Sequence, residues 1–202
     1  MGHLSLLRQW QKVWPGPTFS YEYHFWKHQY YDPSNLYIAR RVYEDIKSLK
    51  YMGIDGYVED GSQRSFFPNG LAIHVYAETL LNRDADFDAL VEDYFSHIYG
   101  EDWRLAYDYL SKISELADFA FFSGVKSIAD PHKEVFIKSK RYNPSLKGNF
   151  ERLIPVVDDF MPVIEAHLME HVRTHYVAWE VLKWHTDYVK LCCESLEHIS
   201  VD

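Results

Sequence analysis

The sequence predicts a mainly α-helical protein with a small parallel βαβα portion near its start. Three observations carry this. An aromatic-rich, β-prone run at residues 18–26 is followed by an amphipathic helical stretch and then by a second β-prone run at 54–59. A strand, helix and strand at that spacing fit a parallel crossover. From residue 84 onward the apolar residues recur at helical spacing.

The elements follow in order. Residues 4–14 read as a short amphipathic helix with Leu4, Leu7, Trp10 and Trp14 near one face, stopped by Pro15-Gly16-Pro17. In the strand over 18–26, Phe19, Tyr21, Tyr23 and Phe25 share one face, and Ser20, Glu22, His24 and Trp26 share the other. Asp32 is the expected N-cap and Pro33 the first position of a helix running to about Met52. Ile38, Val42, Ile46 and Leu49 form its apolar stripe, and Gly53 takes its C-terminal left-handed position. After the strand at 54–59 comes a loop, then a helix over 71–81. Asp86 and Gly100 bracket the next helix, and Asp102 caps another. Residues 123–148 read as loop, with Lys138, Lys140 and Arg141 as a solvated basic face. Beyond Phe150 the pattern is helical to about His198. Pro155 and Pro162 should kink or break it, and nothing interrupts it after Val163.

Composition narrows the function. Thirty acidic residues against 21 basic ones give a net charge of −9, which repels phosphate and disfavours nucleic acid as a partner. Aromatic residues make up 17% of the chain, enough both to pack a core and to stack on apolar faces of ligands such as sugar rings. The adjacent Cys192 and Cys193 cannot staple distant segments, and no Cys-x-x-Cys exists. No cofactor and no metal are predicted. No apolar run reaches the length of a membrane span, and residues 1–7 do not read as a secretory signal. Met1, taken as the true start, would place the chain in the cytoplasm.

Two parallel strands with aromatic residues on both faces do not make a sheet that stands alone. Their edges leave backbone groups unpaired, and parallel sheets want both faces covered. A closed (β/α) barrel takes about eight strands. Either further strands lie upstream in a longer polypeptide, the physically simpler option, or the helices of this chain cover the pair.

Several short motifs, in order, carry a resemblance. They are Trp10-Gln11-Lys12, Phe19-Ser20-Tyr21-Glu22-Tyr23-His24, Tyr43-Glu44-Asp45-Ile46-Lys47, Gly53-Ile54-Asp55-Gly56, Ser62-Gln63-Arg64-Ser65-Phe66-Phe67-Pro68 and Gly70-Leu71, with Tyr94-Phe95 and Tyr99-Gly100 beyond them. Over residues 8–120 the chain looks like the bacterial family catalogued as domain of unknown function 4838. Its members resemble glycoside hydrolases with a (β/α) barrel and a helical C-terminal region. The resemblance implies a C-terminal fragment of a TIM-like barrel, with its last βα units at 1–83 and a helical region at 84–202. It also implies carbohydrate as the partner, together with the upstream barrel segment.

In such a barrel, function lies at the C-terminal ends of the strands. Those ends place His24, Trp26, Glu59, Gln63 and Arg64 near one rim. Glycosidases use two carboxyl groups about the scissile bond, and Glu59, last in its strand, is the candidate catalytic group. Its bland alternative is a buried ion pair, with Arg64 as one partner. Glu22, mid-strand, suits packing or hydrogen bonding. Trp26 offers a stacking platform and His24 a donor to a hydroxyl, or both belong to an aromatic cluster at the rim. Gln63 and Arg64 suit sugar hydroxyls or a carboxylate, or they pin the loop. The string His167-Leu168-Met169-Glu170-His171 matches the inverted zinc-peptidase motif. On one helix its two histidines would sit a turn apart, but packing between helices is the default. Two functions follow: a glycosidase-like portion that acts only with its upstream strands, or a noncatalytic helical module for interaction or sugar binding.

Overall fold

The computed structural model describes residues 3–26, 31–61, 66–123 and 143–201. Strands β1 (Phe19–Glu22) and β2 (Gly56–Glu59) pair in parallel, with Phe19 opposite Gly56 and Glu22 opposite Glu59. Helix α1 (His3–Val13) precedes β1, α2 (Leu36–Met52) connects the two strands, and α3 (Leu71–Leu81) follows β2. Then come α4 (Phe87–Tyr99), α5 (Trp103–Leu116), the short α6 (Phe119–Ser123), a 3-10 turn at Pro144–Leu146, α7 (Lys147–His167) and α8 (Arg173–Val201). The protein is mainly helical with a small two-stranded parallel sheet.

The core is helical. The stripe Ile38, Val42 and Ile46 of α2 is buried, as the spacing predicts. It packs against α3, and α3 packs in turn against α4. Phe95 of α4, Leu110 and Ile113 of α5, Leu153 and Val157 of α7, and Trp179 and Leu182 of α8 belong to the same buried cluster. The expected boundary near residue 83 falls between α3 and α4, and side chains pack across it. Tyr43 meets Phe87 edge-on and donates its hydroxyl to Ala85 O at 2.9 Å. Gly53 ends α2 at φ 68° and donates back to Leu49 O and Lys50 O, a conformation that favours glycine. The Gln11 amide donates to Met52 O and Gly53 O, which fastens α1 to that end of α2.

Several boundaries differ from the sequence reading. β1 ends at Glu22, so His24 and Trp26 lie in a turn rather than on a strand face, and Glu22 is the strand's last residue, not its middle. Asp32 and Pro33 stand outside α2, whose N-cap is Asn35 at φ 61°. Asp32 still serves the helix: its buried carboxylate accepts from Ser34 and, at 2.9 Å, from the Ile38 N–H. Asp86 caps α4 through Ala89 N as expected, whereas the Asp102 carboxylate makes no cap and meets His167 Nε2 at 3.2 Å instead.

Pro155 and Pro162 do not break α7. Both are exposed and a heptad apart on the outer face, so the carbonyls they leave unpaired can turn to water. The helical pattern breaks later, at residues 168–172, where no glycine or proline marks the place. Packing sets that break, because α8 folds back along α7 and stacks Trp179 on the His167 ring at 4.1 Å. Within the span expected to be loop, Ser123 at the end of α6, the 3-10 turn and the start of α7 with Gly148 are helical. The patch Lys138, Lys140 and Arg141 lies outside the described residues.

Leu182 of α8 is fully buried in this cluster. Leu182→Ala is expected to lower unfolding stability by about 3 kcal/mol, read from the urea midpoint at unchanged slope.

Candidate functional site

The two strand ends are tied by one imidazole. β2 carries Tyr57 and Glu59 on one face, two residues apart. That face looks toward the helices, since Tyr57 packs on Tyr76 of α3 with ring centroids 5.9 Å apart. The chain leaves β1 through a turn closed by Trp26 N to Tyr23 O at 3.2 Å. This turn drops His24 between β2 and α2. Nδ1 of His24 lies 2.9 Å from Glu59 Oε2 and 2.9 Å from the Tyr57 hydroxyl, and Nε2 lies 2.9 Å from Asp45 Oδ2 on α2. Glu59 accepts in addition from the Phe25 N–H at 3.3 Å. Phe25 itself is fully buried, edge-on to Tyr76.

Burial pulls the His24 pKa down, but hydrogen bonds to Asp45 and Glu59, and the charges of both, outweigh it and raise the pKa to about 9. The ring is an imidazolium at neutral pH and donates from both nitrogens. Burial, with the negative charges of Glu59 and Glu22 nearby, raises the Tyr57 phenol further above its usual range, so it stays protonated.

The expectation that Glu59 opens onto a cleft is corrected by this geometry. The side chain does leave the end of β2, but it is 2% exposed and held by His24 and the Phe25 backbone. Glu22, its register partner, is half-buried, and the Ser20 hydroxyl bonds to Oε1. Ser20, Glu22, Tyr57 and Asp45 line a groove of about 350 Å³ that Leu4 and Leu7 of α1 close from outside. Gln63 and Arg64 lie outside the described residues, as does any pairing of Arg64 with Glu59.

Among the described residues, none packs over the opposite face of the sheet. Phe19 is 65% exposed and Tyr21 57%, and Val58 is exposed as well. From Tyr21 an aromatic row runs past the strand end, with Tyr21 to Tyr23 at 5.2 Å and Tyr23 to Trp26 at 5.5 Å between centroids. Gly61, at φ 85°, lets the chain after β2 pass the Trp26 backbone; a Cβ there would come within 2.8 Å of Trp26 Cα.

The structure thus brings His24, Glu59 and Trp26 to the same strand ends. It adds Asp45 and Tyr57, which the sequence reading missed. Tyr57 was readable as the residue sharing Glu59's face. Asp45 was not, because its approach depends on how α2 lies against the sheet. The zinc-peptidase string is dismantled: His167 ends α7, and His171 follows in the turn, so the two do not share a helix face. Among the described residues no group of three or more His, Cys, Asp or Glu side chains could hold a metal, and no helix is long and apolar enough to cross a membrane. Cys192 and Cys193 are free thiols. No family model matches the chain, and no curated protein or solved structure is similar to it.

The raised His24 pKa fixes the sign of a pH effect. Below about 6.5, the ordinary histidine value, the ring is charged folded or unfolded and its ion pairs contribute in full. Between there and about 9 only the folded state holds the proton, so this contribution falls as pH rises and is lost above. The urea midpoint of the wild type should exceed that of His24→Gln at mildly acidic pH, and the gap should close as pH rises through about 9.

Proposed function

We propose that this chain is the C-terminal part of a glycoside-hydrolase-like (β/α)-barrel protein, of the kind gathered under domain of unknown function 4838, and that it acts on carbohydrate together with barrel strands outside this sequence. One observation supports this above the others. A parallel pair keeps an aromatic face bare, and among the described residues neither strand has a second neighbour. Parallel sheets are stable when both faces are covered, and unpaired edges invite further strands. Closure into a barrel meets both demands.

The rim of such a barrel is where ligands bind. The row Tyr21, Tyr23 and Trp26 runs from the bare face to that rim, and flat rings suit the CH faces of a pyranose. In this reading Trp26 is the stacking platform. Gln63 and Arg64, which follow β2 in sequence, would contact hydroxyls or a carboxylate. His24 and Glu59 position the turn that carries Trp26. Glu59 reaches the reaction only through that turn, and the acid/base pair comes from other strands. A noncatalytic sugar-binding or interaction module is the second reading. It is favoured by a core that α2 to α8 close without the bare sheet face.

The test joins this chain to the coding sequence upstream of Met1 and measures hydrolysis of aryl glycosides and oligosaccharides. Barrel-like strands in frame, and hydrolysis that requires them, are expected. Trp26→Ala should raise KM about tenfold, by loss of aromatic stacking. An upstream sequence without such strands would sink the barrel reading, and oligosaccharide binding without hydrolysis would select the module.

A further inference from the structure

His185, midway along α8, is fully buried. Its Nε2 meets Pro33 O at 2.5 Å, across 152 residues of sequence. A carbonyl oxygen only accepts, so Nε2 carries the proton and the ring is the neutral tautomer with a lone pair on Nδ1. Nδ1 has no partner. The bond joins α8 to the segment that leads into α2. That segment also orders the start of α2, through Asp32 and the Ile38 N–H and through the Asn35 amide and Asn69 O.

Aromatic rings surround the imidazole. Phe67, before α3, and Tyr109 of α5 meet it edge-on with centroids at 5.6 and 6.2 Å, and Tyr188 of α8 lies tilted at 6.2 Å. Burial keeps the Tyr109 phenol protonated and uncharged, with the buried Cys193 nearby. Asp32 stands one residue before the acceptor, but its carboxylate is taken by Ser34 and Ile38. On α7, Asp158 is exposed and pairs with Lys190 of α8. A proton on Nδ1 would therefore place an uncompensated cation, with a donor lacking its acceptor, inside the core, which is costly. Burial lowers the His185 pKa to about 4, and the Pro33 bond opposes it only in part.

We propose that His185 is an acid-sensitive latch on α8. The neutral ring holds the helix to Pro33; protonation expels the ring, and the helix detaches from the segment that starts α2. The device does not depend on what the strand ends bind. Above about 6.5, the ordinary histidine value, the ring is neutral whether the latch is closed or open. Between there and about 4 only the open form takes the proton, so opening grows as pH falls. His24 keeps its proton over that range and adds nothing to the effect.

The experiment follows backbone hydrogen exchange of the full chain at about pH 7.5 and about pH 5, corrected for the intrinsic exchange rate. A pKa of about 4 closed and about 6.5 open makes opening about thirtyfold more frequent at the lower pH. Protection of the α8 amides around Thr186, and of Ile38, should fall by about that factor, while Val75 and Val91 change little. His185→Gln, whose amide can still donate to Pro33 O but takes up no proton, should lose this pH dependence. In the wild type, ring nitrogen shifts at about pH 5 should report the neutral tautomer with its proton on Nε2. A ring already charged at that pH, α8 protection indifferent to pH, the same response in His185→Gln, or an equal fall at Val75 and Val91, the mark of global unfolding, would each overturn the proposal.

Discussion

The end of the sheet depends on one charged ring. His24 joins β1, β2 and α2 at a single point, with Glu59 on one nitrogen and Asp45 on the other. Each partner comes from a different element, so the ring joins three segments at that end. An imidazolium between two carboxylates is well compensated, whereas removing the ring would leave Glu59 buried beside Tyr57 without a cation. Breaking a buried pair in that way costs more than never forming it. The turn that sets Trp26 in place therefore inherits its geometry from the electrostatics beneath it.

The helical layer supplies the rest of the rigidity. α2 presents Ile38, Val42 and Ile46 inward while its outer side reaches Asp45 to the strand end. One helix thus couples the buried cluster to the polar clamp. At its start, the buried Asp32 orders the connection through Ser34 and Ile38, the Asn35 amide donates to Asn69 O before α3, and the Asn69 amide donates to Ser34 O. Both connections at the strand ends are thereby anchored in side-chain hydrogen bonds to backbone, which suits loops that carry ligand contacts on a fixed scaffold.

Much of this was legible beforehand, for physical reasons that can be named. Helical periodicity located α2, α3, α4 and α5, because each has one buried stripe and its own end signal, such as Gly53 or Asp86. The same logic allowed a break at Pro155 and Pro162 that does not occur, because it weighs a proline without knowing which way its carbonyl partner faces. It also missed the break before α8, which packing of Trp179 on His167 imposes and no local residue announces. At the site, alternation along the strands placed Glu59 correctly at a strand end. It could not show that His24 leaves the strand, since that turn answers to Asp45, distant in sequence and brought near by the helix.

The clamp also bears on where catalysis can reside. A glycosidase carboxyl must give up or take a proton, or attack carbon, in contact with substrate. Glu59 accepts from an imidazolium and a backbone N–H at once and is nearly sealed from solvent, so using it as acid or nucleophile would require releasing the turn it holds. Glu22 sits beside it on the same helix-facing side, away from the bare aromatic face. Both carboxylates of this sheet therefore point toward the helices rather than toward the bare face. That face carries Phe19, Tyr21 and Val58, with Trp26 beyond the strand end. These side chains can pack against apolar groups or rings, but none of them is a carboxyl group.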